Sequence, residues 1–286
     1  MILAPLPGEY IASAIRRGNE TLGIKGVNKK DYYIKRKANA KSQLKEEDLI
    51  EFPTIFEKHQ ITEEVLYQNT LYPLAAALGR TQAYCVYTPT TSWKICLNCV
   101  VEDIEIHGAA YIHHRNLLTS VSVCSVHASK LYERCPACLK SITSHEIQRL
   151  VQCSKFFKIT QPLIGSPPNF YAKFVKNLLD YDKKIFTQHH AEIMICMKLQ
   201  TIGYLDKFRS LDIETLKIDI NNQLSFNPKF QSFHCTSLNV CATSAFLAYQ
   251  TADEYLTAMK DDSAWKKLRE EIQELRTPSL KKKYAS

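Results

Sequence analysis

Cys96-Leu-Asn-Cys99, Cys124-Ser-Val-His127, Cys135-Pro-Ala-Cys138 and, further on, a lone Cys153 are the residues on which this chain is organised. A C-x-x-C pair sets two thiolates on one tight turn, at a separation that suits two corners of a tetrahedral metal ion. Two such half-sites make a whole site. Cys96, Cys99, Cys124 and His127 supply three sulfurs and an imidazole, a soft set that selects zinc over calcium or magnesium. All four corners are taken by protein, so the spacing predicts a structural site worth about 10–16 kcal/mol of apparent binding energy to the folded chain. Cys135 and Cys138 form a further half-site with Cys153. His145 could complete it, or the set could be a remnant with buried thiols.

Disulfides are the competing use of so many cysteines. The chain has ten in 286 residues and its opening, Met1 to Pro7, lacks the basic-then-apolar pattern of a secretory leader, so a reducing cytoplasm is expected. Cys85, Cys196, Cys235 and Cys241 have no paired spacing and read as small buried hydrophobes.

Composition agrees with a folded protein. Hydrophobic residues make up 45% and charged residues 23%, with eight glycines, which argues for a folded chain rather than a disordered or repeat one. No apolar run reaches the roughly 18 residues of a membrane span, and no internal repeat is evident. The net charge is +8. Its placement is uneven: Lys25 to Lys45 holds eight Lys or Arg residues against one acid, Asp31, a local charge of +7. Tyr32 and Tyr33 lie inside this run, whose Lys29, Lys30, Lys35, Arg36 and Lys37 are candidate phosphate contacts. A solvated loop would have the same composition.

Periodicity places helices on both sides of the cysteines. Ile11, Ala14, Ile15 and Leu22 make an amphipathic helix entered through Pro7-Gly8-Glu9 and stopped at Gly23, with Arg16 and Arg17 as surface charges. A second helix runs from Thr62 to Leu78, interrupted at Pro73, and could join the first in a helix-turn-helix-like unit. Short strands are expected at Tyr84 to Tyr87, Ile95 to Leu97, Tyr111 to His113 and Val121 to Val123, as in a zinc ribbon. His107, His113 and His114 read as packing or surface residues. Pro162-Leu-Ile-Gly-Ser-Pro167-Pro168 reads as a linker. Beyond it, Phe170, Phe174, Leu178 and Tyr181 share a stripe, helices follow over Ile193–Leu199, Leu211–Leu224 and 234–249, and Trp265, Leu268, Ile272 and Leu275 face one side of a last helix ended by Pro278. The expected fold is mainly α with a little β: an N-terminal helical unit over 1–83, a zinc-ribbon-like region over 84–160 and a helical domain over 161–286.

Catalytic signatures are not found. There is no G-x-x-x-x-G-K-[ST], no H-E-x-x-H and no G-x-S-x-G, and Arg134 stands where a deaminase would have proline before its C-x-x-C.

The cysteine region together with Gly108-Ala-Ala-Tyr111-Ile-His113-His-Arg115 resembles the TniQ/TnsD family in order and spacing, and Pro5-Leu-Pro7-Gly-Glu9-Tyr-Ile-Ala-Ser13 and Asn69-Thr-Leu-Tyr-Pro73-Leu look like that family's flanking segments. Ile112 departs from it where an aromatic is usual. The resemblance implies a non-catalytic adaptor that selects the target of a bacterial cut-and-paste transposon, bound to DNA directly or through a CRISPR RNA-guided complex, and recruits an AAA+ ATPase. It implies zinc as cofactor, a DNA-binding-like character for the helical C-terminal domain over 161–286 and a phosphate or carbonyl role for Arg115, and leaves a homodimer open. A zinc-ribbon transcription or replication accessory factor is the alternative, sharing the cysteines without needing the N-terminal stretch.

Overall fold

The computed structural model describes residues 4–24, 35–36, 50–51, 63–79, 93–181, 186–206, 208, 210–230 and 237–276. The chain opens with α1 (Ile11–Thr21), followed by the two-residue antiparallel pair β1 (Lys35–Arg36) and β2 (Ile50–Glu51). Next come α2 (Glu63–Asn69), α3 (Tyr72–Ala77), β3 (Ile95–Cys96), α4 (Leu97–His107) and β4 (Leu131–Tyr132), with β4 antiparallel to β3. The rest is helical: α5 (Ile147–Ser154), α6 (Pro167–Leu179), α7 (Gln188–Thr201), α8 (Ile213–Leu224), α9 (Leu238–Tyr249), α10 (Ala252–Lys260) and α11 (Asp262–Arg276). No described helix is long and apolar enough to cross a membrane.

Helix ends follow local chemistry. Ser166, Thr187, Asp212, Ser237 and Thr251 each accept a hydrogen bond from the backbone N–H three residues on, capping α6 through α10. The Pro/Gly/Ser cluster expected as a linker therefore starts a helix, since Pro167 and Pro168 occupy the first turn, where their missing N–H is no loss. Pro73 does the same for α3, which is why the helix expected over 62–78 comes in two pieces.

α9 is the axis of the C-terminal half. Except for Asn239 it is buried along its whole length, and α6, α7, α8 and α10 surround it. Phe246 meets Tyr171 and Phe174 at 5.4 and 5.7 Å between ring centroids, and Tyr255 meets Tyr249 at 5.4 Å. Of the stripe expected there, Phe174, Leu178 and Tyr181 are buried and Phe170 is exposed; Tyr171 and Val175 complete the buried face of α6. On α11, Leu268 and Ile272 are buried against α7 as the periodicity requires.

The halves share one apolar cluster. α3 packs on α6, and the Tyr255 hydroxyl donates to the Ala77 carbonyl at 2.8 Å. Ser120 bonds Tyr171 Oη at 2.7 Å, and its N–H donates to Asn239 Oδ1 at 3.0 Å. The buried ammonium of Lys94 donates to the carbonyls of Leu118 and Val121, holding that loop in place. The boundary at 83/84 lies outside the described residues; the one at 160/161 falls between α5 and α6, where Leu163 N–H donates to Ala128 O at 2.7 Å.

α1 departs from expectation in its company. Its main partner is α5 rather than α2 or α3. Arg17, read as a surface charge, is buried in a bidentate pair with Glu9, at 2.8 Å from Oε2 and 3.2 Å from Oε1. Arg16 lies over the Trp93 ring at 4.7 Å and donates to Thr143 O at 2.5 Å.

Candidate metal centre

The chain brings Cys96, Cys99, Cys124 and His127 together, with one ligand atom from each inside a sphere of mutual distances under 4.8 Å. Cys96 ends β3, and Cys99 sits in the first turn of α4, so this half-site lies on a strand-to-helix junction and not on the ribbon expected there. Strand pairing at 111–113 and 121–123 is likewise reduced to single bridges, Glu9 with His113 and Val123 with Lys130. The helix wins because Leu97, Val100 and Asp103 bury one α4 face while Gly108, at φ +70°, closes its end.

Distances suit a small tetrahedral ion. Ligands held at roughly 2.0–2.3 Å from such an ion stand about 3.3–3.8 Å apart. Here Cys99 Sγ is 3.7 Å from Cys124 Sγ and 3.3 Å from His127 Nδ1, which lies 3.6 Å from Cys96 Sγ and 3.8 Å from Cys124 Sγ.

Groups around the sulfurs favour negative charge there. Ser129 Oγ is 3.1 Å from Cys96 Sγ, and Arg115 Nη2 donates to Cys99 Sγ at 3.4 Å. Hydrogen bonds from the Cys96 and Cys99 thiols, joined by the N–H groups of His127 and Val126, hold the Cys124 thiol far below its ordinary range. The bond to Cys124, then that to Cys96, then burial push Cys99 the other way. Three buried thiols cannot all ionise side by side, and a divalent cation removes that conflict. His127 Nε2 bonds Glu102 Oε1 at 2.8 Å, which turns Nδ1 toward the sulfurs.

A second cluster joins Cys135, Cys138, His145 and Cys153 under the same distance limit. His145 thus takes the corner that the spacing left open. Its Nδ1–H donates to Glu146 O at 2.7 Å, presenting Nε2 at 3.5 Å from Cys153 Sγ on α5. Burial, with Cys135 and Cys138 beside it, pushes the Cys153 thiol up to about 12.

The two turns are copies of one another, a duplication that the sequence reading missed. Cys124 N–H donates to Ser129 O and Cys135 N–H to Lys140 O, both at 2.8 Å. Ala128 N–H returns to Cys124 O at 2.9 Å and Leu139 N–H to Cys135 O at 2.8 Å. Leu131 N–H meets Ser122 O, and Ile142 N–H meets Glu133 O, closing each hairpin at the same place. Ala128 and Leu139 both have positive φ, 51° and 61°. The only signal was C-x-x-[CH] recurring between Cys124 and Cys135, too short to stand out as a repeat.

The N-terminal stretch is seated against this centre. Tyr10 N–H donates to Ile112 O at 2.7 Å, His114 N–H to Gly8 O at 3.0 Å, and Tyr111 Oη to Pro7 O at 3.1 Å. Ser13 Oγ accepts from Ile112 N–H at 3.0 Å and donates to Glu9 Oε1, also at 3.0 Å. His113 and His114 are packing residues, as read: His113 Nε2 lies 2.8 Å from Asp103 Oδ2, and His114 Nδ1 lies 2.8 Å from Gly8 O. Beside them a cleft of about 520 Å³ is walled by Gly8, His114, Arg115, Lys176 and Asp180.

Lys29, Lys30 and Lys37 lie outside the described residues, as do Cys85 and Cys235, while Lys35 and Arg36 pair with Glu51 and Ile50 in β1 and β2. Cys241 is buried and Cys196 half-buried, both as free thiols. No family model matches the chain, and no curated protein matches it.

Proposed function

We propose that this chain is a non-catalytic target-site selector of a bacterial transposon, acting in the cytoplasm as an adaptor between target DNA and an AAA+ ATPase. The observation that carries the reading is the interlock of the segments that resemble the TniQ/TnsD family. Pro7, Gly8 and Tyr10 bond Tyr111, His114 and Ile112 from across the sequence, and the latter segment sends Arg115 to Cys99. An accessory factor built on the cysteines alone would have no use for that N-terminal clamp.

Zinc is the metal proposed for both clusters, because three sulfurs and one imidazole match its preference and leave no corner open to water. Its part is structural: it ties β3, α4 and the first turn into one unit, and the second turn to α5. Arg115, Lys176 and His114 share the cleft wall with Asp180, which pairs with the Lys176 ammonium at 2.5 Å, so a phosphate oxygen there would meet Arg115 first. The basic stretch from Lys25 to Lys45 supplies further phosphate contacts, or the chain rides on an RNA-guided complex and needs fewer.

The test is retention of the neighbouring transposon ATPase by purified protein, with and without target DNA. An adaptor couples its ligands, so DNA and ATPase should raise each other's affinity by the same factor. Loss of both interactions at low salt would discard the selector reading for the accessory-factor one.

A further inference from the structure

The two metal-bearing turns and the strand of chain that joins them leave a surface that neither the metals nor the proposed DNA contacts use. Residues 155–165 run from the second cluster to the first turn and are anchored at both ends. Phe156 N–H donates to the carbonyl of the ligand Cys153 at 3.0 Å, and Leu163 N–H donates to Ala128 O at 2.7 Å. Along this path Phe156, Ile159 and Ile164 are 74%, 65% and 76% exposed, and the tips of the two turns add Leu139 and Val126 at 69% and 53%. A stretch of apolar side chains held open to water by fixed backbone is unfavourable for an isolated chain and marks a contact surface.

Its charge is mainly basic, with Glu102 beside His127 and Glu133 between the turns as exposed acids near it. Residues 125–130, 136–140 and 155–165 contain no Asp or Glu, while Lys130, Lys140, Lys155 and Lys158 are all exposed. None of these four makes an ion pair among the described residues. We infer that this face docks an acidic protein segment whose apolar side chains cover Phe156, Ile159 and Ile164 while its carboxylates meet the lysines. Nucleic acid would use the lysines but gain little from aliphatic side chains, since bases stack on aromatic rings and Phe156 is the only aromatic among the five apolar groups named. A second copy of the chain through the same face would set lysine against lysine.

The inference deepens the adaptor reading by naming the surface offered to a protein partner. Full-length, metal-loaded protein is titrated with a short fluorescent peptide rich in Glu, Leu and Phe, beside an oligoglutamate of equal length and an oligothymidylate. Saturable binding of the peptide is expected, tighter than either control. F156S/I164S and K155E/K158E should each weaken it about tenfold with unchanged metal content, because these side chains are exposed and touch no ligand. No saturable peptide binding, equal binding of oligoglutamate, or an unaffected F156S/I164S protein overturns the inference. Tighter binding of oligothymidylate overturns it in favour of a nucleic-acid face. Peptide binding without retention of ATPase or DNA would keep this surface and discard the selector.

Discussion

Glu102 fixes which nitrogen of His127 can reach the sulfurs: its Oε1 takes the Nε2–H at 2.8 Å, leaving the Nδ1 lone pair 3.3 Å from Cys99 Sγ. Outer carboxylates of this kind orient a ligand and raise its basicity. E102A should therefore lower zinc affinity about 10–100-fold in competition with a chromophoric chelator, with the fold retained at saturating metal. Equal affinities would mean that packing alone orients the ring.

Metal should leave the two clusters in order. Cys96, Cys99 and Cys124 are buried, whereas Cys138 is exposed and Cys153 half-buried, so a chelator reaches the second set first. Release followed with an excess of chelator should be biphasic, with equal amplitudes. The fast phase should vanish in C138S and persist in C99S.

Breaking the buried pair at the N-terminus should be costly. Glu9 holds Arg17, Ser13 Oγ and the Leu6 N–H through its two carboxylate oxygens. E9A leaves Arg17 charged and unmatched, and should lose about 3–5 kcal/mol in denaturant unfolding. R17M should cost a similar amount, and the double variant less than the sum, because each single change already breaks the pair.

His114 ties stability to pH. Burial pushes its imidazole down to about 4, outweighing the Gly8 carbonyl. The unfolded chain, with a histidine near 6.5, takes up the proton first as pH falls, so the contribution is complete above pH 6.5 and lost progressively toward pH 4. Across that window the loss is at most about 3 kcal/mol. H114N should remove this part of the pH dependence, and the stability difference between the two proteins at pH 7 and pH 5 isolates it from protonation of the thiolates.

Much of this was legible from local pattern. The C-x-x-C and C-x-x-H spacing names its ligands because a turn holds two donors near one ion whatever surrounds it, and helical periodicity located α1 and α11 because burial of one face is a property of neighbouring residues. The S/T/D caps of α6 to α10 are equally local: Ser166 ahead of Pro167-Pro168 marks a helix start where Pro/Gly/Ser composition alone suggests a linker.

Other features depend on residues far apart in the chain. Nothing within the sequence near Arg17 says that Glu9 will be desolvated against it, since that requires α1 to be covered on one side by α5 and on the other by the 111–115 segment. His145 joins the second cluster only because α5 brings Cys153 back over the second turn. The sequence by itself determined which atoms could bind metal and which segments would coil, for these follow from side-chain chemistry at short range. Only the tertiary structure decided which charges are buried, which histidine completes the second site and which apolar residues stay in water, because each of those depends on what the packed neighbours exclude.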